Sequence, residues 1–431
     1  MTMVSTSGIR HGFLVLVMCL LVPAVLPAQS WEWPRSSPEE QGLDSRVIDQ
    51  YVSRIEAGYY GSIHSLLIVR HGRLVTEEYF RFWGPDALHP VFSVTKSVTS
   101  ALLGILRDQG YWTDLDSRLL DYFPEYDHLA NMSAAKGAIT VRDVLTMTAG
   151  FQWNELSLDY SNPFNDVILI TFSGDWLRYV LDKPMAAYPG TEFNYNSGCT
   201  LLLGGIIHYT TGWEARHLVS PLLFDFVDID AYEWSTGAQG ITNTGWGLSL
   251  RPLDMASFGY LCLHNGVRRG VPVVPAAWIY DALGAQVEAL EGSHYGYQWW
   301  ILPLDPATPD APARIRTAWG YGGQFIFVVP TLDMVVVSTA GEYTSIRNGA
   351  VDFIQELLAE AVLDPTAASG DVDDDGFVTA ADLALLRRSC AEQPALPVTP
   401  AVAVARGDRN GNGRLDIVDC LRHQVWLLAN D

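Results

Sequence analysis

Phe92-Ser93-Val94-Thr95-Lys96 runs directly into Ser97-Val98-Thr99-Ser100-Ala101-Leu102-Leu103-Gly104-Ile105-Leu106. A helix starting at Ser93 carries Lys96 one turn later on the same face, so a hydroxyl stands beside an amine. A serine hydroxyl is a weak nucleophile and needs a neighbouring base. A lysine serves as that base only where burial holds its pKa down, and the apolar run after Lys96 supplies burial. The chain has only three lysines, Lys96, Lys136 and Lys183, and two of them have a serine three places earlier. Ser133-Ala134-Ala135-Lys136-Gly137 lacks apolar periodicity and reads as a solvated loop, a chance match. The ordinary job of a serine like Ser93 is a helix N-cap, so its partners decide between the two roles.

Two later stretches offer partners. Phe193-Asn194-Tyr195-Asn196-Ser197-Gly198 follows Pro189-Gly190-Thr191 and precedes the apolar helix Leu201 to Tyr209. A tyrosine on that turn can present its phenol to the serine as general acid and base. Ala318-Trp319-Gly320-Tyr321-Gly322-Gly323-Gln324 leads into the strand Phe325 to Val329. Glycine at a strand start permits close backbone approach to a ligand, and free N–H groups there can hold an oxyanion. The bland alternatives are a packed turn tyrosine and a glycine-rich hairpin.

Taken in order, these motifs resemble the serine β-lactamase and penicillin-binding-protein superfamily, in its class C β-lactamase, D-alanyl-D-alanine carboxypeptidase and esterase branch. Ile139 to Gly150 and Gly247 to Ala256 resemble further segments of that family, and the resemblance spans roughly Pro38 to Val362. It implies Ser93 as acylated nucleophile, Lys96 as its deprotonating partner and Tyr195 as general acid/base. It further implies an oxyanion hole from the N–H groups of Ser93 and Tyr321, with Ser197, Trp319 and Gly320 around the substrate. It implies no cofactor for catalysis. Two positions depart from the family pattern. Ser197 stands where asparagine is usual, and Ala318 stands where a lysine or histidine usually receives a substrate carboxylate. The expected substrate is therefore a small ester or amide lacking that carboxylate. A β-lactamase or D-Ala-D-Ala carboxypeptidase is the alternative enzyme, and a non-catalytic binding protein on the same fold is the alternative outside catalysis.

Composition agrees with a folded hydrolase. At 48% hydrophobic and 18% charged residues the chain reads as globular, and a net charge of −22 argues against a nucleic-acid partner, which would want a basic face. Arg10 and His11 precede the apolar run Gly12 to Val22, with Leu26-Pro27-Ala28 as a cleavage site. This predicts a secretory signal over 1–28, no membrane span after its removal, and an extracellular or periplasmic protein. Cys390 and Cys420 are the expected disulfide. Val47 to Ala57 and Val351 to Val362 read as helices. Ile63 to Val69 and Leu74 to Phe80 read as a hairpin turning at His71-Gly72. Asp114 to about Leu283 reads as mostly helical, and strands return at Tyr297 to Leu302, Phe325 to Val329 and Met334 to Thr339. The expected fold is α/β, an antiparallel sheet flanked by helices and built from both ends of the 29–363 domain. An all-helical lobe is inserted between, with the site in the crevice.

Beyond a linker at 364–370 lie two copies of one pattern. Asp371, Asp373, Asp375 and Asp382 occupy places 1, 3, 5 and 12 of the first, and Asp408, Asn410, Asn412 and Asp419 those of the second. Glycine stands at place 6 of both, and the carbonyls of Phe377 and Arg414 fall at place 7, as a Ca²⁺ loop requires. Repetition in register argues against two chance acidic turns. With Gly-Asp opening each loop, residues 371–431 resemble a type I dockerin. That resemblance implies a small all-α EF-hand-like module, two structural Ca²⁺ ions and a cohesin-type scaffold protein as partner.

Overall fold

Leu66-Leu67-Ile68-Val69 shows no apolar–polar alternation, which is the pattern of a strand covered on both faces. The strand β1 (Ile63–Arg70) is buried along its whole length. The computed structural model describes residues 32–362, except 238, 291, 304–313 and 344–348. The predicted signal, linker, tail loops and Cys390–Cys420 pair lie outside the described residues.

β1 turns at His71 and Gly72, both at positive φ, into β2 (Arg73–Tyr79), as a tight hairpin needs. The remaining strands of this sheet come from the other end of the domain. They are β3 (Val287–Glu288), β4 (His294–Tyr295), β5 (Trp300–Pro303), β6 (Arg314–Gly320), β7 (Gln324–Val329) and β8 (Met334–Ala340). The eight-stranded sheet runs β2-β1-β8-β7-β6-β5-β4-β3, and every neighbouring pair is antiparallel. β1 therefore pairs with β8, from Ile63 opposite Ala340 to Arg70 opposite Met334. The expectation of one sheet made from both ends holds. The strand expected from Tyr297 starts later, at Trp300, because Gln298 adopts φ 67° and breaks the extended run.

The helices α1 (Ser45–Glu56) and α8 (Gly349–Ala361) pack together, and α7 (Pro252–Leu263) packs on β1, β7 and β8. Between the two ends of the sheet run α2 (Val94–Asp108), α3 (Ala134–Ala138), α4 (Val141–Leu145), α5 (Trp176–Leu181) and α6 (Ser197–Thr211). Helices α3, α4 and α5 are no longer than six residues, each opened by a Ser, Thr or Asp side chain that accepts from the first-turn backbone. This middle region is less uniformly helical than its sequence suggests. It also contributes Glu233–Trp234 and Leu248–Leu250 to a small three-stranded sheet with His89–Pro90. α2 is buried on every side from Val94 to Leu106, its polar first turns (Thr95, Lys96, Ser97, Thr99, Ser100) included.

A polar chain lies next to the segment that leads to Ser93. Ser62 Oγ is 3.2 Å from His64 Nε2, His64 Nδ1 is 2.9 Å from His89 Nε2, and His89 Nδ1 is 3.1 Å from the Pro90 carbonyl. The carbonyl can only accept, so His89 carries its proton on Nδ1. His64 then donates from Nδ1, and Ser62 donates to His64 Nε2. Both rings are neutral in this arrangement, and Trp83 stacks on them. Burial lowers both pKa values, that of His64 to about 4. Between about pH 6.5 and 4 the unfolded chain binds protons that the folded chain refuses, so stability falls as pH falls through that window. Replacing His64 with glutamine is expected to flatten this loss, as read from urea midpoints at pH 7 and pH 5.

Candidate active site

Phe92 sits at φ 46°, an unusual conformation for a bulky residue, immediately before Ser93. That bend ends the extended His89–Pro90 segment and starts α2 at once, placing Ser93 at its N-cap. Ser93 has helical dihedrals, and its side chain makes no capping bond. Its hydroxyl faces Lys96 instead, with Nζ 2.8 Å from Oγ. Lys96 is only 1% exposed, and burial outweighs the opposing charge of Glu155 to lower its pKa to about 8.

Tyr195 and Ser197 arrive from the turn before α6, where Asn196 caps the helix through the Cys199 N–H at 3.1 Å. The buried Tyr195 lies beside Ser93, and its ring stacks on Trp300 with centroids 5.5 Å apart. Burial, followed by the charge of Glu155, raises its pKa, while the neighbouring Ser93 hydroxyl works the other way. Lys96 Nζ lies 5.1 Å from that ring centroid, 2.9 Å from Ser197 Oγ and 2.8 Å from the Gly245 carbonyl. Helices α2 and α6 are tied at Gln298, which accepts Ser97 Oγ at its carbonyl (2.8 Å) and Thr200 Oγ1 at its side chain (2.6 Å).

The glycine-rich segment meets this cluster from the end of β6. A Cβ on Gly320 would stand 2.2 Å from the Val91 carbonyl, so only glycine lets β6 lie against the backbone leading to Ser93. Among the described residues no backbone carbonyl accepts from the N–H of Ser93 or of Tyr321. The Tyr321 phenol donates to the Tyr343 carbonyl at 2.8 Å, and its ring meets Phe92 and Tyr160 at 5.7 and 4.7 Å. Trp319 reaches the cluster through Trp300, 5.6 Å away. Ala318 is a buried methyl in β6, opposite Ile326. Thus Ser93, Lys96, Tyr195 and Ser197 come together, with Gly320 and Tyr321 at their edge. The ten residues proposed to bind calcium lie outside the described residues. Among the described residues no cluster of histidine, cysteine or acidic side chains could hold a metal ion.

One reading needs correction. Lys136 is not in a solvated loop but in α3, fully buried, with Nζ 2.7 Å from the carbonyls of both Ala130 and Leu181. Ser133 caps that helix through the Lys136 N–H at 3.1 Å, so its hydroxyl has the bland role considered for Ser93. Two contributors were missed altogether. One is the Gly245 carbonyl. The other is Glu155, 1% exposed, which accepts from the Ser197 N–H (2.7 Å), Ser197 Oγ (2.6 Å), Trp153 Nε1 (2.8 Å) and the Tyr160 phenol (2.9 Å).

Residues 48–361 match the beta-lactamase family. The chain belongs to the beta-lactamase family. Residues 369–424 match the dockerin type I domain, a domain type that binds calcium. This beta-lactamase-family chain is 28% identical over 295 residues to 6-aminohexanoate-dimer hydrolase of Paenarthrobacter ureafaciens, covering 63% of this chain and 71% of that one. Its fold is that of EstCE1, a hydrolase with promiscuous acyltransferase activity (TM-score 0.59, 16% identity, 74% of this chain and 99% of that one). It is also that of a class C beta-lactamase (TM-score 0.57, 15% identity, 73% and 96%). Among the described residues no helix is long and apolar enough to cross a membrane.

Proposed function

We propose that this beta-lactamase-family protein is a secreted serine hydrolase that forms an acyl-enzyme on Ser93 and cleaves an ester or amide. The observation that carries the reading is the 2.8 Å contact between the Ser93 hydroxyl and a buried amine whose pKa is drawn to about 8. At neutral pH part of Lys96 is unprotonated and can take the Ser93 proton as Oγ bonds to the substrate carbonyl carbon. The N–H groups of Ser93 and Tyr321 receive the oxyanion. Tyr195 relays the proton held by Lys96 to the departing alcohol or amine as its bond to the carbonyl breaks, which leaves the phenol protonated and Lys96 neutral again. Water then attacks the ester on Ser93 and gives up its proton to Lys96, and Ser93 Oγ takes that proton back as its bond to the carbonyl carbon breaks and the acid leaves.

The absence of a cation at Ala318 disfavours substrates held by a free carboxylate. Lys136 is bound to backbone carbonyls and Lys183 pairs with Asp166, so neither replaces it. A relative that hydrolyses 6-aminohexanoate dimers and a fold neighbour with acyltransferase activity support acyl transfer outside the β-lactams. Residues 371–431 would bind two Ca²⁺ ions through the residues at places 1, 3, 5, 7 and 12 of each loop and attach the enzyme to a cohesin-type partner.

Intact-mass analysis after incubation with a fluorophosphonate and, separately, a penicillin tests this reading. A phosphonate adduct is expected on wild type and not on Ser93→Ala, with no stable penicillin adduct. A chelator should leave the labelling unchanged. Wild type that takes up neither reagent would point to the binding-protein alternative.

A further inference from the structure

Proton counting around Lys96 reaches beyond the nucleophile and its base. The Gly245 carbonyl can only accept, so it takes one Lys96 hydrogen. The Ser197 hydroxyl has a single proton, and at 2.6 Å from Glu155 Oε1 that proton goes to the carboxylate. Ser197 Oγ is thereby left as an acceptor and takes a second Lys96 hydrogen at 2.9 Å. A neutral amine has only two hydrogens. Its lone pair is then the part of Nζ left for Ser93 Oγ, 2.8 Å away.

We infer that Glu155 is a positioning residue which, by holding the Ser197 proton, aims the Lys96 lone pair at Ser93. The inference rests on the acyl-enzyme reading above. Four donors converge on Glu155. The Ser197 N–H and Trp153 Nε1–H reach Oε2, and the Ser197 and Tyr160 hydroxyls reach Oε1. An ionised carboxylate suits four donors and a neutral amide does not, because the NH₂ of glutamine would face donors on whichever side it took. The least costly way out turns that NH₂ toward Ser197 Oγ. The Ser197 hydrogen would then point at Lys96 and occupy the lone pair meant for Ser93. Glu155 also lies against the first N–H groups of α6, where the helix dipole favours negative charge.

The arrangement also accounts for the serine at position 197. A hydroxyl can pass on the orientation set by a carboxylate behind it, donating on one side while accepting on the other. Once Lys96 takes the Ser93 proton, the same three partners accept from the ammonium, and Glu155 balances its charge through one intervening hydroxyl. The other titratable groups facing the pair are Tyr160, Tyr195, Tyr295 and Cys199. Burial is the first cause raising each of their pKa values, which leaves Glu155 as the charge opposite Lys96.

The test is the rate of Ser93 phosphonylation by a fluorophosphonate as a function of pH, on full-length wild type, Glu155→Gln, Ser197→Ala and the double variant. Glu155→Gln is expected to slow labelling about 100-fold and to move the rising limb of the pH profile to lower pH, since the charge favouring the ammonium is gone. Ser197→Ala, which leaves the Glu155 contacts with the Ser197 N–H, Trp153 and Tyr160 in place, should slow labelling about tenfold or more. Adding Glu155→Gln to it should cost less than about threefold further, because the two act through one hydroxyl. Multiplying effects, or an unshifted limb in a folded Glu155→Gln protein, would overturn the inference while leaving the acyl-enzyme reading intact. If Glu155→Gln does not fold, Ser197→Ala alone decides, and a wild-type rate there overturns it. Wild type that is never labelled overturns both.

Discussion

Lys96→Met is expected to slow acylation of Ser93 by about 10³-fold or more, with the protein still folded. General-base assistance contributes about 10²–10⁴-fold, and among the described residues no other lysine is near enough to substitute. Methionine fills a similar volume in a site with almost no solvent access, so packing around α2 is retained. Lys96→Arg should be equally slow. A guanidinium keeps its proton at every accessible pH and can offer Ser93 no lone pair. In wild type the rate should climb with pH as the amine loses its proton, with a midpoint near 8. Both variants should lose that limb. Stopped labelling with a fluorophosphonate, read by intact mass alongside a thermal melt, separates lost chemistry from lost folding. A Lys96→Arg protein labelled at the wild-type rate would rule out Lys96 as the base.

The second large effect is expected at Gly320. Its added Cβ would meet the Val91 carbonyl at 2.2 Å and Gln324 Cβ at 2.9 Å. The first of these is backbone, and it already accepts the Val94 N–H at 3.1 Å at the start of α2, so it cannot swing aside. Gly320→Ala must push β6 away from the Phe92–Ser93 segment. Overpacking of this kind costs about 1–3 kcal/mol of stability. It also moves the Tyr321 N–H relative to Ser93, and displacement of one oxyanion donor costs about 10²-fold or more in rate. Urea midpoints and labelling rates measured on one preparation should show both losses together. A stable Gly320→Ala protein with wild-type rate would mean that the Tyr321 N–H has no part in the reaction.

Ser93 with Lys96, and Tyr195 with Ser197, were legible as two local pairs, while the contact that joins the pairs spans 101 residues and was expected only from the family resemblance. A three-residue spacing puts an amine beside a hydroxyl, and a turn before an apolar helix carries the other two. Glu155 and Gly245 were not, since their contacts with Ser197 and Lys96 span 42 and 149 residues and neither sits in a local pattern. Lys136 misled for the same reason. Its small neighbours carry no apolar signal, and one of the two carbonyls that cage it, that of Leu181, comes from 45 residues away. β6 was hidden by the alternating arginines of Arg314-Ile315-Arg316, whereas the apolar Phe325 to Val329 and Met334 to Thr339 announced their strands. The 371–431 repeats lie outside the described residues, so their ligand set stays an expectation. That expectation rests on fixed oxygen spacing, a signal that local order alone carries.

The pairing of β1 with β8 sets the order in which this chain can become a protein. Ile63 finds its partner only when Ala340 has been made, and α1 gains α8 later still. A ribosome-bound chain stopped before residue 340 leaves one side of β1 without its ladder. Contacts of such sequence separation slow folding and leave strand edges open meanwhile. Ser93, synthesised early, thus waits for β6 and β8 before its surroundings close. A truncation inside β8 should yield an aggregating chain rather than a weakened enzyme, whereas one after Val362 leaves every strand pairing described above in place.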